Sequence, residues 1–167
     1  MIKIKKTPPG VKGMLEGRGA TKLIPKNVPP RNSPEDIALT FVFATAYVVG
    51  AADGELTDEE YETLGQMLAD VTGLDISAEQ LDSMLEASDK VLQEQGYESA
   101  IEELSHMAPD PELRRSAYTI AVAVGCADGA LADEEVAVFS ALADAYEIPE
   151  EEATAIIDEC AAAYSNG

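Results

Sequence analysis

Two copies of one acidic motif hold the side chains best suited to chemistry in this 167-residue chain. The segment 52–60 reads Ala-Asp-Gly-Glu-Leu-Thr-Asp-Glu-Glu, and the segment 127–135 repeats seven of its nine residues at a spacing of 75. Carboxylate oxygens are hard ligands that suit Ca²⁺, Mg²⁺ and Mn²⁺ better than soft metals. The motif therefore predicts a divalent-cation site, with Ca²⁺ the favoured ion. The candidate ligands are the first aspartate of each copy and the glutamate seven residues later: Asp53, Glu60, Asp128 and Glu135.

The same spacing is found in the second half of an EF-hand loop, where an aspartate precedes the turn glycine and a glutamate closes the loop. The first and third loop positions would then be Val49 and Ala51 in one copy, and Val124 and Cys126 in the other. None of these side chains ligates calcium, so a complete EF-hand is excluded.

A purely structural interpretation of the motif stays open. Thr57 and Glu60 can form a capping box at a helix start, and Asp53-Gly54 can be an ordinary helix end. The second copy argues against this interpretation, because Ala132 has no hydroxyl for capping and the closing glutamate is nevertheless retained.

Other reactive residue types are few. His106 is the only histidine and is expected at a helix end. Cys126 and Cys160 lie on apolar helical faces, so we expect buried, unreactive thiols rather than a disulfide scaffold. A nucleophile would need a base, and none can be singled out among the 32 acidic residues, so we expect no enzymatic activity.

Helical periodicity covers most of the chain after residue 32. Ser33-Pro34 predicts the cap and first position of a helix that is apolar nearly all round and ends at Gly54. A fifth helix repeats this start at Asp110-Pro111 and is expected to end at Gly129. The fold class is therefore all-α: a seven-helix bundle of two pseudo-symmetric halves, about 33–93 and 110–164, joined by the fourth helix. The other helices are predicted at about 58–71, 78–93, 97–107, 133–146 and 150–164.

Residues 1–32 form a separate segment, and the predicted helical domain is 33–167. Prolines and glycines are so frequent in 1–32 that we expect an extended or disordered arm without a helix, with at most a short strand at 2–5. Residues 1–33 contain eight Lys/Arg and one acid, whereas the rest of the chain carries a net charge of −28. The acidic body is not expected to bind nucleic acid. Four partners fit the basic arm: nucleic acid, an anionic membrane surface, an acidic protein, or the acidic body to which the arm is attached.

The longest apolar run, 37–52, falls short of the roughly 20 residues that a membrane-spanning helix needs. Met1 is followed by lysines and prolines rather than by the apolar segment of a secretory signal. We therefore expect a cytoplasmic protein without a transmembrane segment.

The doubled Ala-Asp-Gly-x-Leu-x-Asp-Glu-Glu motif, each copy between an apolar and an amphipathic helix, resembles the tellurite-resistance TerB-like family over about 33–164. The resemblance implies two pseudo-symmetric helical halves and an acidic surface where the motif carboxylates gather to bind a divalent metal. It carries the metal role to Asp53, Glu60, Asp128 and Glu135. Ala132 departs from the family pattern, which has a capping Ser or Thr there, and the basic arm is not part of the resemblance.

The favoured function is a non-enzymatic, cytoplasmic, metal-responsive module that acts through protein–protein interaction in a stress or tellurite-resistance type of system. The alternative is a structural or adaptor protein whose basic arm docks on a partner assembly, without any metal. A metal-dependent hydrolase has the least support, since it would need open metal positions and a base.

Overall fold

The computed structural model describes residues 9–19, 30, 33–51, 64–66, 69, 78–107, 110–126 and 133–166. Within these residues the fold is all-helical, as predicted, and has no strand. Seven helices have defined bounds: α1 Pro9–Gly17, α2 Pro34–Gly50, α3 Ala78–Gln95, α4 Tyr97–Met107, α5 Pro111–Gly125, α6 Asp133–Ala145 and α7 Glu150–Asn166.

The two helices that precede the motifs begin as the sequence predicts. Ser33 caps α2, with the Asp36 amide donating to its hydroxyl over 3.1 Å, and Pro34 takes the first helical position. Asp110 caps α5 in the same way by accepting from the Glu112 amide over 3.0 Å. Each cap satisfies one amide that the helix start leaves without an intrahelical partner.

Helices α2 and α5 form the centre of the core and make the most extensive contact in the fold. Residues 41–50 and 116–125 are buried throughout, which explains why both sequences are apolar on every side. The two helices run in the same direction. The C-terminal Val49 of α2 lies against Gly125 of α5, and their N-terminal parts both reach the end of α6.

Helix α6 runs against the central pair in the opposite direction. Its Phe139 lies at the end of α5, whereas Tyr146, just after α6, stacks on Phe41 near the start of α2 with ring centroids 5.2 Å apart. The Thr45 hydroxyl donates to the Phe41 carbonyl over 2.8 Å, so the Tyr146 hydroxyl is the donor in its own 2.8 Å bond to Thr45. Helices α3 and α4 pack on α2, and α7 packs on α5.

Two predictions about helix position are wrong. Residues 9–17 form helix α1, although the arm was expected to contain none. Proline is tolerated at a first helical position, which Pro9 occupies. Glycines disfavour a helix, and the burial of Leu15 against the core offsets this cost in free energy. The predicted helix ends at the motif glycines are also wrong: α2 ends at Gly50 rather than Gly54, and α5 ends at Gly125 rather than Gly129. The Tyr97 hydroxyl donates to the Ala51 carbonyl, which a continuing helix would need for its own next bond.

Several predictions lie outside the described residues. These are the strand at 2–5 and most of the second helix at 58–71, of which 64–66 and 69 are described as helical. The pseudo-symmetry of the two halves stays a prediction. No helix in the described ranges is long and apolar enough to cross a membrane.

Gly125 permits the close approach of α2, α5 and α6. A Cβ added there would lie 2.5 Å from the Phe139 Cζ and 3.0 Å from the Val49 Cγ1. We expect Gly125→Ala to lower the free energy of unfolding by about 1–3 kcal/mol, because Phe139 is fully buried and its ring has no room to move. Urea unfolding followed by circular dichroism measures the change.

The matched control for this substitution is Gly13→Ala in α1, where a Cβ would meet no heavy atom within 4 Å. Alanine is the better helix former by about 1 kcal/mol, so this variant should be as stable as the parent or slightly more stable. A Gly125→Ala protein as stable as the Gly13→Ala protein would contradict the close packing at the end of α5.

Candidate functional site

Three of the four candidate ligands, Asp53, Glu60 and Asp128, lie outside the described residues. Glu135 belongs to the first turn of α6, four residues before Phe139. Among the residues that are described, no group of three or more His, Cys, Asp or Glu side chains could hold a metal ion. Direct ligation by the four carboxylates therefore stays a prediction, and the structure defines the framework from which both motifs start.

That framework is the shared C-terminal end of the two central helices. Helix α2 ends at Gly50 and α5 ends at Gly125, and the first aspartate of each motif follows three residues later. Because Val49 lies against Gly125, the two motifs leave the core from neighbouring points. Three residues of chain span at most about 10 Å, so both aspartates are tethered to this one end of the bundle.

The backbone at this end favours a positive ion. Parallel helices place their C-terminal ends together, and each end carries about half a negative charge from unpaired carbonyl groups. The amide of Ala51 donates to the Tyr47 carbonyl over 2.9 Å, and the amide of Cys126 donates to the carbonyls of Val122 and Val124. The last amide is thus satisfied at the end of each helix, and the C-terminal dipoles of both helices lie at the same end of the bundle.

The start of the first motif is held by polar contacts from α3 and α4. The Tyr97 hydroxyl donates to the Ala51 carbonyl, one residue before the motif begins. The Tyr47 hydroxyl donates to Asp89, whose carboxylate also accepts from the Gln93 amide over 3.0 and 3.1 Å. Burial raises the pKa of Tyr97, so the phenol stays protonated and able to donate throughout the physiological range. Sequence patterns do not reveal the Tyr97–Ala51 and Tyr47–Asp89 contacts, because the bonded residues are more than 40 positions apart.

The start of the second motif is held by apolar packing. Tyr118 of α5 meets Phe139 edge-on, with ring centroids 6.4 Å apart, and both rings are fully buried. Burial, together with the nearby Cys126 and Cys160 thiols, raises the pKa of Tyr118 to about 12. Burial is also the main cause of a raised pKa for the Cys160 thiol, so this group is not an activated nucleophile.

The predictions for the other reactive residue types are confirmed. Cys126 and Cys160 are both buried, as the apolar faces of their helices indicated. His106 is exposed in the last turn of α4, where a histidine complements the helix end. Among the described residues, none of these three belongs to a group of side chains that could hold a metal ion.

The raised pKa of Tyr118 predicts how stability depends on pH. Between pH 10 and about 12 the unfolded chain loses this phenolic proton while the folded chain retains it. The free energy of unfolding should therefore be unaffected by Tyr118 below pH 10 and should fall by up to about 1.4 kcal/mol per pH unit within that window. Urea unfolding at pH 9, 10.5 and 11.5 should show a shallower fall for Tyr118→Phe. If the free energy of unfolding fell equally steeply with pH in the variant and in the parent, the raised pKa of Tyr118 would be contradicted.

Comparison with known proteins identifies the fold family. The family model described as "Tellurite resistance protein TerB" matches residues 39–158, a range that contains both acidic motifs, most of α2 and all of α3 to α6. No curated protein and no solved structure matches the chain. The matched range covers well over half of the 167 residues and confirms the resemblance that the doubled motif indicated. The chain belongs to the TerB family.

Proposed function

We propose that this TerB protein is a non-enzymatic module that binds a divalent cation between its two acidic motifs. Asp53, Glu60, Asp128 and Glu135 would supply the carboxylate oxygens, and Ca²⁺ is the ion that such hard ligands favour. The ion would join the two motifs, and the surface ordered by this joining would bind a protein partner. A cytoplasmic stress or tellurite-resistance type of system is the setting that the family suggests.

One observation carries the proposal: the two motifs start from adjacent helix ends. Val49 and Gly125 are in contact, so the chain segments that follow them begin side by side. Beyond its first aspartate, the first nine-residue copy contains four further Asp or Glu residues and the second contains three. Such a density of negative charge is costly without a counter-ion. The helix dipoles at the same end add to that negative potential. A bound cation would relieve both repulsions, which gives the binding its driving force.

The adaptor alternative, in which the basic arm is the working part and no metal is needed, receives less support. Leu15 of the arm is fully buried on the protein's own body, and Arg18 forms an ion pair with Glu159 of α7. Within the described part of the arm, these two side chains are thus engaged with the protein's own body.

Calorimetric titration of the full chain with Ca²⁺ tests the proposal. We expect measurable binding to the parent and at least a tenfold weaker affinity for the double variant Asp53→Asn/Asp128→Asn, because each substitution removes one charged ligand. Removal of the metal with a chelator should lower the melting temperature of the parent, since an ion that binds only the native state stabilises it by mass action.

The control is Asp144→Asn/Asp158→Asn, which removes the same two charges from exposed positions on α6 and α7. Its calcium affinity should stay within about twofold of the parent, because exposed charges at a distance are largely screened by salt. If the calcium affinity fell equally in the two double variants, calcium would be bound only through the net negative charge of the protein and the proposal would be overturned. Absence of binding to the parent would also overturn the proposal.

A further inference from the structure

The surface beneath helix α1 has the properties of a binding groove. Helix α1 lies on α7 and α5 and contacts both. Its Leu15 is fully buried and belongs to the main hydrophobic core, and Met14 packs partly buried beside it. Without α1, the apolar surface that receives these two side chains would be exposed, and monomeric proteins rarely leave such a patch uncovered.

The charges around the groove select a basic occupant. Helix α7 contains five acidic residues and no lysine or arginine. Arg18, directly after α1, donates to the carboxylate of Glu159, and both side chains keep part of their exposure to solvent, 28% and 49%. Such a pair contributes little to affinity but fixes the orientation of the helix that carries it.

Helix α1 itself is poorly built for permanent attachment. It has nine residues, fewer than an isolated helix needs in water, and three of them are Gly10, Gly13 and Gly17. Each glycine inside a helix disfavours the helical state relative to alanine. Among the described side chains, fully buried Leu15, partly buried Met14 and the partly exposed Arg18–Glu159 ion pair offset this cost, so we infer that the docked state is only modestly favoured.

The ion pair that holds α1 on the body is formed by residues outside the range that matches the family. Arg18 precedes the matched range 39–158, and Glu159 follows it. The arm helix and its acidic contact are therefore not accounted for by the TerB match, and they do not depend on cation binding by the two motifs.

We propose that the α5–α7 groove is a docking site for a short basic amphipathic helix of a partner protein, and that α1 is its internal competitor. The partner helix would place an apolar side chain where Leu15 lies and a basic side chain opposite Glu159. Because the partner can bind only when α1 has left, the glycines of α1 set how readily the groove opens.

The test uses a fluorescent peptide of residues 9–19 in which Gly13 and Gly17 are replaced by alanine, and fluorescence anisotropy measures its binding to full-length chains. The variant Leu15→Asp should free the groove and bind the peptide at least ten times more tightly than the parent does. Its thermal unfolding, followed by circular dichroism, checks that the body is still folded. A peptide with the same charge but with Leu15→Ser should bind weakly to every chain.

Gly13→Ala in the full-length chain should have the opposite effect to Leu15→Asp, because it stabilises α1 in the groove. Its interpretation does not require any part of the protein to unfold. A Cβ at Gly13 meets no heavy atom within 4 Å, so α1 is strengthened without a clash. The peptide should bind this chain about threefold more weakly than the parent, the factor expected from one glycine replaced in a helix.

The position of the peptide is tested by Glu159→Lys in the Leu15→Asp background. The substitution should weaken binding at least threefold, and a peptide with Arg18→Glu should recover it. Equal binding to the parent and to Leu15→Asp, or binding indifferent to Glu159→Lys, would overturn the proposal. A parent that is dimeric in light scattering, and monomeric with Leu15→Asp, would also overturn it, because the groove would then belong to α1 of a second copy.

Discussion

The contact between the C-terminal halves of α2 and α5 is the constraint on which the rest of the structure depends. Gly125 has no side chain, so Val49 and Phe139 can both approach its backbone, and no larger residue would fit. The long buried sequences of both helices follow from this position at the centre, since every side of each helix meets another part of the protein. The same contact brings together the points from which the two acidic motifs leave the core.

Similar sequences at these two points are held by different forces. The end of α2 is fixed by hydrogen bonds from Tyr97 to the backbone and from Tyr47 to Asp89. The end of α5 is fixed by the buried rings of Tyr118 and Phe139. The two helix ends that precede the repeated motif are therefore stabilised by different contacts, because those contacts come from residues outside the repeat.

Local sequence signals predicted most of the described fold. Caps such as Ser33 and Asp110 and the spacing of apolar residues act within one or two turns, so helix starts and the bounds of α4 were correct. Predictions of helix position failed where contacts with residues distant in the sequence determine where a helix forms or ends. Helix α1 exists because its leucine fits a groove made by helices more than a hundred residues later, and α2 ends early because of a tyrosine on α4. Val136 is apolar and lies three residues before the buried Phe139 on α6, yet it is 46% exposed because it lies near the start of the helix.

For the candidate site, the sequence supplied the residue types and the structure supplied the common starting point of the two motifs. Paramagnetic Mn²⁺ added in small amounts to the isotope-labelled protein tests most directly whether one ion lies between them. The account predicts that the amide signals of Ala51 and Cys126, at the ends of α2 and α5, broaden together and before any others in the described helices. Earlier broadening at Glu150–Glu152, three successive acids in the first turn of α7, would contradict it, because the ion would then follow exposed charge rather than the paired motifs.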